Sequence, residues 1–282
     1  MLASGQIADA VRTAIPQAAA SLRPDALVAL RAAAACERSP RGCAVLGQLL
    51  ENAELAARDH MPLCQDTGTV WVRIELGAEE CLCGDVQSAI DEAVADAYRD
   101  AHLRMSVVRD ALVDRTNTRT NAPAFVDLAL GVRPGTGATV HVMLKGGGSD
   151  NASRVEMLPP SAGIVGIRRV VLETVEAKAS GACPPLVIGV GVGATFDKVG
   201  GLAKKALLRE IGSVPSDPVL AELEAELLAE VNATGIGPGG LGGDTTALAV
   251  HIATAPCHIA ALPVAVNLGC SAVRSATVEV TA

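Results

Sequence analysis

The stretch CPPLVIGVGVGATFDKVGGLAKKALLR, residues 183–209, decides the fold of this 282-residue chain. Its first half is a short apolar run of Leu, Val and Ile interleaved with glycine, which is typical of a strand buried on both faces. Its second half predicts a helix over residues 197–210. A buried strand followed by a helix indicates a protein in which strands and helices are mixed.

The same mixture continues on both sides of this stretch. Residues 1–59 are rich in Ala, with Leu and Val at helical spacing, whereas Thr69–Leu76 alternates like a strand. Further helices are predicted over residues 85–103, with Asp85 as its capping residue, over 161–179 and over 217–232. Further strands are predicted over residues 138–145 and from 247 onward. We predict a mixed α/β (α+β) fold: a helical N-terminal region followed by mixed sheets with flanking helices. The chain is expected to be a single domain, 1–282, in which residues 1–60 could form a helical subdomain.

Composition excludes several classes of protein. The net charge of −8 argues against a broad surface for nucleic acid or anionic membranes. The first residues, MLASGQIADAVRTAIP, lack the basic and apolar regions of a secretory signal, so we expect a reducing cytoplasm. The apolar segment 247–266 is interrupted by His and Pro residues, which favours buried strands over a membrane span.

Three cysteines stand where a turn meets an apolar, strand-like run: Cys64, Cys183 and Cys270. They are far apart in sequence, with no Cys-x-x-Cys pair to suggest a zinc site. Three thiolates that converge from distant loops would suit a cubane iron–sulfur cluster whose fourth iron is left open as a Lewis acid. Cys257 competes with Cys270 for the third position. The other four cysteines are interpreted as incidental thiols: Cys36, Cys43, Cys81 and Cys83.

Other motifs leave alternatives open on local grounds. The sequence GVGVGA, residues 189–194, matches a dinucleotide-binding pattern after an apolar run. The match is weak, because Thr195, Phe196 and Asp197 interrupt the passage from this run into a helix, and a glycine-rich turn whose backbone passes close to something bulky is favoured. The sequence KGGGSDN, residues 145–151, could aim amides at an anion or form a plain surface turn. Taken alone, His258 is typical of a core histidine and Arg104 of a solvated arginine.

Taken together and in order, the motifs are specific. The chain resembles the α subunit of class I, iron–sulfur fumarate hydratases and L(+)-tartrate dehydratases over nearly its whole length. The segments that carry the resemblance are CQDTGT (64–69), KGGGSDNAS (145–153), the stretch 183–209, GIGPGGLGG (235–243) and CHIAALPVAVNLGCSAVR (257–274).

The resemblance implies specific roles for residues of this chain. Cys64, Cys183 and Cys270 would ligate a [4Fe-4S] cluster, and its open iron would hold a four-carbon dicarboxylate. The residues expected to contact this substrate are Gln65, Arg104, Gly147 and Gly148 for binding, and Asp66 and His258 as catalytic groups. Asp66 would transfer a proton near the substrate hydroxyl, and the base that removes the C3 proton is expected from another subunit.

The resemblance also implies partners and an activity. Because the chain ends at Ala282, without the second domain of single-chain fumarases, we expect a separate β subunit that completes the active site, in an α2β2 assembly. The predicted activity is reversible hydration of fumarate to (S)-malate. The alternatives are dehydration of L(+)-tartrate to oxaloacetate, a non-catalytic iron–sulfur scaffold with Cys257 or His258 as fourth ligand, and a nucleotide-binding enzyme built on GVGVGA.

Overall fold

The structure is a computed structural model that describes residues 1–281, so Ala282, the end of the predicted domain, lies outside the described residues. The chain forms two compact units. The first contains Met1–Arg23, Ala53–Gly147 and Arg274–Ala282, and the second contains Pro24–Asn52 and Gly148–Val273. The single domain expected from the sequence stays a prediction.

Helices and strands are mixed along the chain, which confirms the predicted mixed α/β class. The helices are α1 (Ser4–Ala20), α2 (Pro24–Cys36), α3 (Pro40–Asp59), α4 (Val86–Asp100), α5 (Gly147–Asn151), α6 (Gly163–Lys178), α7 (Phe196–Ala206) and α8 (Pro218–Ala233). The strands are β1 (Leu2–Ala3), β2 (Thr69–Gly77), β3 (Leu82–Cys83), β4 (Phe125–Arg133), β5 (Ala138–Lys145), β6 (Arg154–Leu158), β7 (Leu186–Ala194), β8 (Ala247–Cys257), β9 (Leu262–Gly269) and β10 (Ser275–Val280).

The first unit is built on a four-stranded sheet in the order β10–β5–β2–β4. β2 runs antiparallel to β5 and parallel to β4. Helix α1 packs against α4, β5 and β10, and buried Val, Ile, Leu and Ala side chains from these elements form one core. Helix α4 begins after Asp85, whose carboxylate accepts the Ser88 amide at 3.1 Å, as the sequence predicted for a capping residue.

The second unit is built on a four-stranded sheet in the order β6–β9–β7–β8, with β7 parallel to β8. Ile188 and Val190 of β7 lie in a core shared with α6 and α8. On alternate positions, Gly189 and Gly191 meet helix α7. A Cβ atom at Gly189 would lie 2.2 Å from the Ala203 carbonyl oxygen, so the helix sits at a distance that only glycine permits.

That close packing explains why the GVGVGA motif is rich in glycine. Its glycines lie inside β7 and make room for α7, instead of forming a turn around a phosphate. Only Thr195 lies between β7 and α7, so the expected interruption by residues 195–197 was wrong. Helix α7 begins at Phe196, one residue before the predicted start, with Thr195 as its N-cap. The nucleotide-binding alternative therefore loses its only sequence argument.

Other expectations had mixed outcomes. The glycine-rich turn expected after β5 is a short helix, α5, and β4 was not predicted because its mixed composition has no clear alternation. The segment 247–266 forms β8 and most of β9, which confirms the predicted strands. No helix within residues 1–281 is long and apolar enough to cross a membrane.

Candidate functional site

The motif CQDTGT forms an ordered loop of the first unit, just before β2, and Asp66 is its organising residue. One carboxylate oxygen of Asp66 accepts the Gly68 amide at 3.0 Å, and the other accepts the Gly147 amide at 2.8 Å. Asp66 therefore ties this loop to the glycines that follow β5. The Gly147 amide, predicted to bind substrate, donates to a side chain of the protein itself.

The two polar side chains predicted to bind substrate meet on the surface of the same unit. Arg104 and Gln65 are both exposed, and the Arg104 Nη1 donates to the Gln65 Oε1 at 2.7 Å. The backbone beneath them is also joined, because the Thr67 hydroxyl donates to the Arg104 carbonyl oxygen. Residues that are 39 positions apart in sequence thus form one polar pair whose guanidinium is accessible to an anion.

Two buried side chains hold the loop from inside. The Tyr98 hydroxyl donates to the carbonyl oxygens of Thr67 and Gly68 at 3.0 and 3.1 Å. Burial raises the pKa of Tyr98, so the phenol stays protonated and keeps donating. The Asn121 side-chain amide donates to the same Gly68 carbonyl oxygen at 3.1 Å. The loop that carries Cys64, Gln65 and Asp66 is therefore fixed on its buried side.

In the second unit, two of the predicted cluster ligands lie at the same end of the sheet. Cys183 ends a 3-10 turn just before β7, in the left-handed backbone region with φ of 59°. Cys270 directly follows β9, whose last residue, Gly269, pairs with Val187 of β7. The Ser271 amide donates to the Cys183 carbonyl oxygen at 3.1 Å. The two cysteine turns are thus hydrogen-bonded neighbours.

Cys257 and His258 lie at the opposite end of that sheet. Cys257 pairs with Ala194, which is seven residues beyond Val187, or roughly 23 Å along an extended strand. The structure therefore does not bring His258 near Cys183 and Cys270 within this unit. The same distance counts against Cys257 as the alternative third ligand and against either residue as a fourth ligand beside them.

The His258 ring has a defined tautomer. Its Nδ1 lies 3.1 Å from the amide of Ala260 and accepts its hydrogen, so a neutral imidazole carries its proton on Nε2. The side chain is exposed at the turn between β8 and β9. Its predicted catalytic role stays a prediction.

The glycine loop, residues 234–246, packs against the Cys183 turn. The Gly239 amide donates to the Pro184 carbonyl oxygen at 2.8 Å, and a Cβ atom at Gly240 would lie 2.8 Å from the Ser180 Cβ. Gly240 also has a φ of 70°, which favours glycine. The glycine loop is therefore closely packed against the turn that carries Cys183.

Glu37 fixes the far end of the glycine loop, and sequence reasoning missed it. Its carboxylate is 7% exposed and accepts amides from both sides: Arg38 and Ser39 beside it, and Asp244 and Thr245 at the end of the loop, at 2.9–3.1 Å. Burial alone would raise the pKa of Glu37, but these amide donors outweigh it and lower the pKa. Nothing in the local sequence marks this residue as a support for the loop, because its partners in the loop are about 200 positions away.

Arg274 is the second residue that sequence reasoning missed. It ends the CHIAALPVAVNLGCSAVR motif but received no role. Its side chain is 4% exposed, and its Nη1 donates to the Asp66 carbonyl oxygen. The only sequence signal was its place inside a recognised motif.

The donor set suits an iron–sulfur cluster. None of the eight cysteines, all within residues 1–281, takes part in a disulfide. Cys183 and Cys270 are adjacent in the second unit, Cys64 belongs to the first unit, and thiolates are the usual ligands of such clusters. Over the described residues, no group of three or more His, Cys, Asp or Glu side chains is gathered closely enough to hold a metal ion.

Comparison with known proteins agrees with the motifs. Residues 8–279 match the family model described as fumarate hydratase (fumerase). The chain is 39% identical over 276 residues to the putative L(+)-tartrate dehydratase subunit alpha of Methanocaldococcus jannaschii, covering 96% of each chain. It is 35% identical over 246 residues to the L(+)-tartrate dehydratase subunit alpha of Escherichia coli strain K12, covering 86% of this chain and 80% of that relative.

These matches define the class first: the chain is a lyase of the hydro-lyase type. More narrowly, it belongs to the family of class I fumarate hydratase and tartrate dehydratase α subunits, as the motifs implied.

Proposed function

We propose that this chain is the cluster-binding subunit of an iron–sulfur hydro-lyase that hydrates fumarate reversibly to (S)-malate. The observation that supports it best is the hydrogen bond between the turns of Cys183 and Cys270, at one end of the sheet of the second unit. Two cysteines carried on neighbouring turns at strand ends are suited to sharing one cluster. Cys64 is proposed as the third ligand, from the motif it shares with Gln65 and Asp66.

The chemistry of the cluster would complement these residues. When bound, a [4Fe-4S] cluster with one iron not ligated by protein supplies a Lewis acid for the substrate hydroxyl. Hydration of fumarate needs such assistance, because hydroxide is a poor leaving group in the reverse direction. The three proposed ligands are Cys64, Cys183 and Cys270.

The polar side chains of the first unit would bind and orient the dicarboxylate. The exposed Arg104 guanidinium, already held by Gln65, is proposed to bind one carboxylate through paired N–H donors. Asp66 accepts one backbone amide on each oxygen, which leaves lone pairs on both for a substrate hydroxyl. We propose that Asp66 moves a proton at that hydroxyl, and that Gly148 and Gly147 contribute to the binding surface.

The substrate has a second candidate. The curated relatives described above are named as L(+)-tartrate dehydratase subunits, which favours tartrate as the dicarboxylate. Tartrate differs from malate by one hydroxyl, and its product would be oxaloacetate. Those relatives are named as alpha subunits, so we also propose a separate β subunit that supplies the base for the C3 proton, in an α2β2 assembly. The cytoplasmic location expected from the sequence stays part of this proposal.

Anaerobic reconstitution tests the proposal. The full chain, co-purified with its β partner, is treated with iron and sulfide, reduced, and examined by EPR with malate, fumarate or tartrate. We expect a cluster signal that changes with one of these acids, and turnover of that same acid. If the EPR spectrum of the cluster is the same with all three acids, and none of them is turned over, the non-catalytic scaffold would be favoured.

Cysteine variants supply matched controls. Cys183→Ser and Cys270→Ser should lose most of the bound iron, whereas Cys257→Ser should keep it, because Cys257 lies at the other end of the sheet. Loss of iron in Cys257→Ser alone would contradict the ligand set. An Asp66→Asn variant that keeps its cluster and full turnover would remove Asp66 from the mechanism.

A further inference from the structure

Arg274 is a buried cation directly before β10, within the first unit. Arg274 is 4% exposed, and its buried Nε has no hydrogen-bond partner among the described residues. Its backbone is fixed as well, because its carbonyl oxygen accepts the Leu144 amide of β5 at 2.9 Å. A buried guanidinium with an unused donor costs stability, so packing alone does not account for it.

The guanidinium is directed at the loop that carries Asp66. Nη1 donates to the Asp66 carbonyl oxygen, a backbone atom of the CQDTGT motif. Arg274 therefore binds the backbone of the motif, whereas the Asp66 carboxylate accepts the amides of Gly68 and Gly147.

Gly146 fits between the two charged side chains. A Cβ atom at this position would lie 3.1 Å from the Arg274 Nη2 and 3.1 Å from the Asp66 Oδ2. Both distances are tighter than ordinary van der Waals contact, so a methyl group there would push the carboxylate and the guanidinium outward. The first glycine of KGGGSDN is thus part of the same cluster of contacts.

We propose that Arg274 is a positioning residue for the segment Cys64–Asp66. Its hydrogen bond to the Asp66 carbonyl oxygen sets the peptide orientation that aims Gln65 and Asp66 together, with Gly146 as the spacer. The role deepens the proposed function and rests on it. Because a displacement of about 1 Å in a reacting group can lower a rate about a hundredfold, one such hydrogen bond has a large effect on turnover.

The test compares Arg274→Gln, Arg274→Lys and Gly146→Ala with wild type and with the control Arg133→Gln. Arg133 belongs to the same unit, where it bonds to Glu279 of β10 at 2.6 Å, far along the strand from Arg274. Each protein is the full chain reconstituted with its cluster and its β partner. The measurements are bound iron, kcat and KM for the dicarboxylate that wild type turns over, and amide hydrogen exchange of residues 64–70 and 145–150.

A positioning role has a distinct signature. In Arg274→Gln we expect about tenfold or greater loss of kcat with little change in KM and with wild-type iron content. The amides of Gly68 and Gly147 should exchange about tenfold faster, because their acceptor is no longer held. Arg274→Lys should recover part of kcat, Gly146→Ala should show a smaller loss of the same kind, and Arg133→Gln should match wild type in all of these.

Three results would overturn the positioning role. Unchanged kcat and unchanged exchange in Arg274→Gln would show that the hydrogen bond orients nothing. A raised KM at constant kcat would make Arg274 a direct substrate-binding group. Equal effects in Arg274→Gln and Arg133→Gln would show that Arg274 contributes only to the stability of β10. If wild type itself shows neither cluster nor turnover, the proposed function fails, and the exchange data still decide whether Arg274 fixes the loop.

Discussion

Replacing Glu37 with Gln tests whether one buried carboxylate organises the glycine loop beside Cys183. In the folded chain its two oxygens accept four backbone amides, two next to it in sequence and two at the end of the loop, from Asp244 and Thr245. Glutamine has nearly the same size but presents an NH2 group where one oxygen stood. At least one pair of N–H donors would then face another donor across a buried gap.

The expected loss follows from these contacts. A hydrogen bond to a charged group contributes about 1.5–3 kcal/mol, and a buried donor left without a partner costs about 1–3 kcal/mol. The amides of Arg38 and Ser39 lie at a helix start near solvent and can turn to water, so the loop amides carry most of the effect. We expect Glu37→Gln to lower the free energy of unfolding by about 2–4 kcal/mol at pH 7.

The loss should depend on pH in a defined direction. The pKa of Glu37 is lowered by folding, so its contribution is fully present above the unfolded pKa, near 4.5, and is lost as pH falls through the folded pKa. At pH 7 wild type has the full contribution. Below about pH 4 the difference between wild type and Glu37→Gln should therefore shrink.

Urea unfolding followed by far-ultraviolet circular dichroism at pH 7, 5 and 3.5 measures both effects, with hydrogen exchange of residues 234–246 as a local readout. The matched control is Glu51→Gln, an exposed glutamate on α3 in the same unit, which should change stability by less than about 0.5 kcal/mol. A Glu37→Gln loss equal to that of the control, or a loss that does not vary with pH, would refute the reasoning.

Three further predictions address other contacts. Gly189→Ala should lower the free energy of unfolding by about 3 kcal/mol in urea titrations, because its Cβ would lie 2.2 Å from the Ala203 carbonyl oxygen. Asp85→Ala should cost about 1 kcal/mol by the same measurement, since the carboxylate caps α4 through the Ser88 amide and hydroxyl. His258→Asn should leave bound iron and the EPR spectrum of the reduced cluster unchanged, because the ring lies roughly 23 Å along the sheet from the thiols of the second unit.

Each of these has an outcome that contradicts it. Gly200→Ala, in open space on α7, should be neutral or slightly stabilising, and an equal loss there would assign the Gly189 effect to the helix itself. An Asp85→Ala variant with the wild-type free energy of unfolding would mean that α4 is stabilised by packing alone. A shifted EPR spectrum in His258→Asn would show that the imidazole reaches the cluster by some other arrangement.

The sequence predicted elements best where its pattern was local. The apolar run before Gly189 and the capping residue Asp85 mark their strand and helix by themselves, because periodicity and capping act over a few residues. β4 escaped prediction, since edge strands with one exposed face need little regularity. The glycines of β7 suggested a nucleotide fingerprint because the sequence cannot show that α7 lies against them.

By itself, the sequence determined the α/β class, the family and the list of candidate residues, because motifs and hydrophobic periods are written along the chain. Only the tertiary structure decided which of those residues meet. It joined Cys183 to Cys270 through Ser271, set Cys257 and His258 at the other end of the sheet, and brought Glu37 and Arg274 to loops about 200 positions away. The physical reason is that strand pairing and buried hydrogen bonds are satisfied by partners remote in sequence, and no local pattern records which partner is chosen.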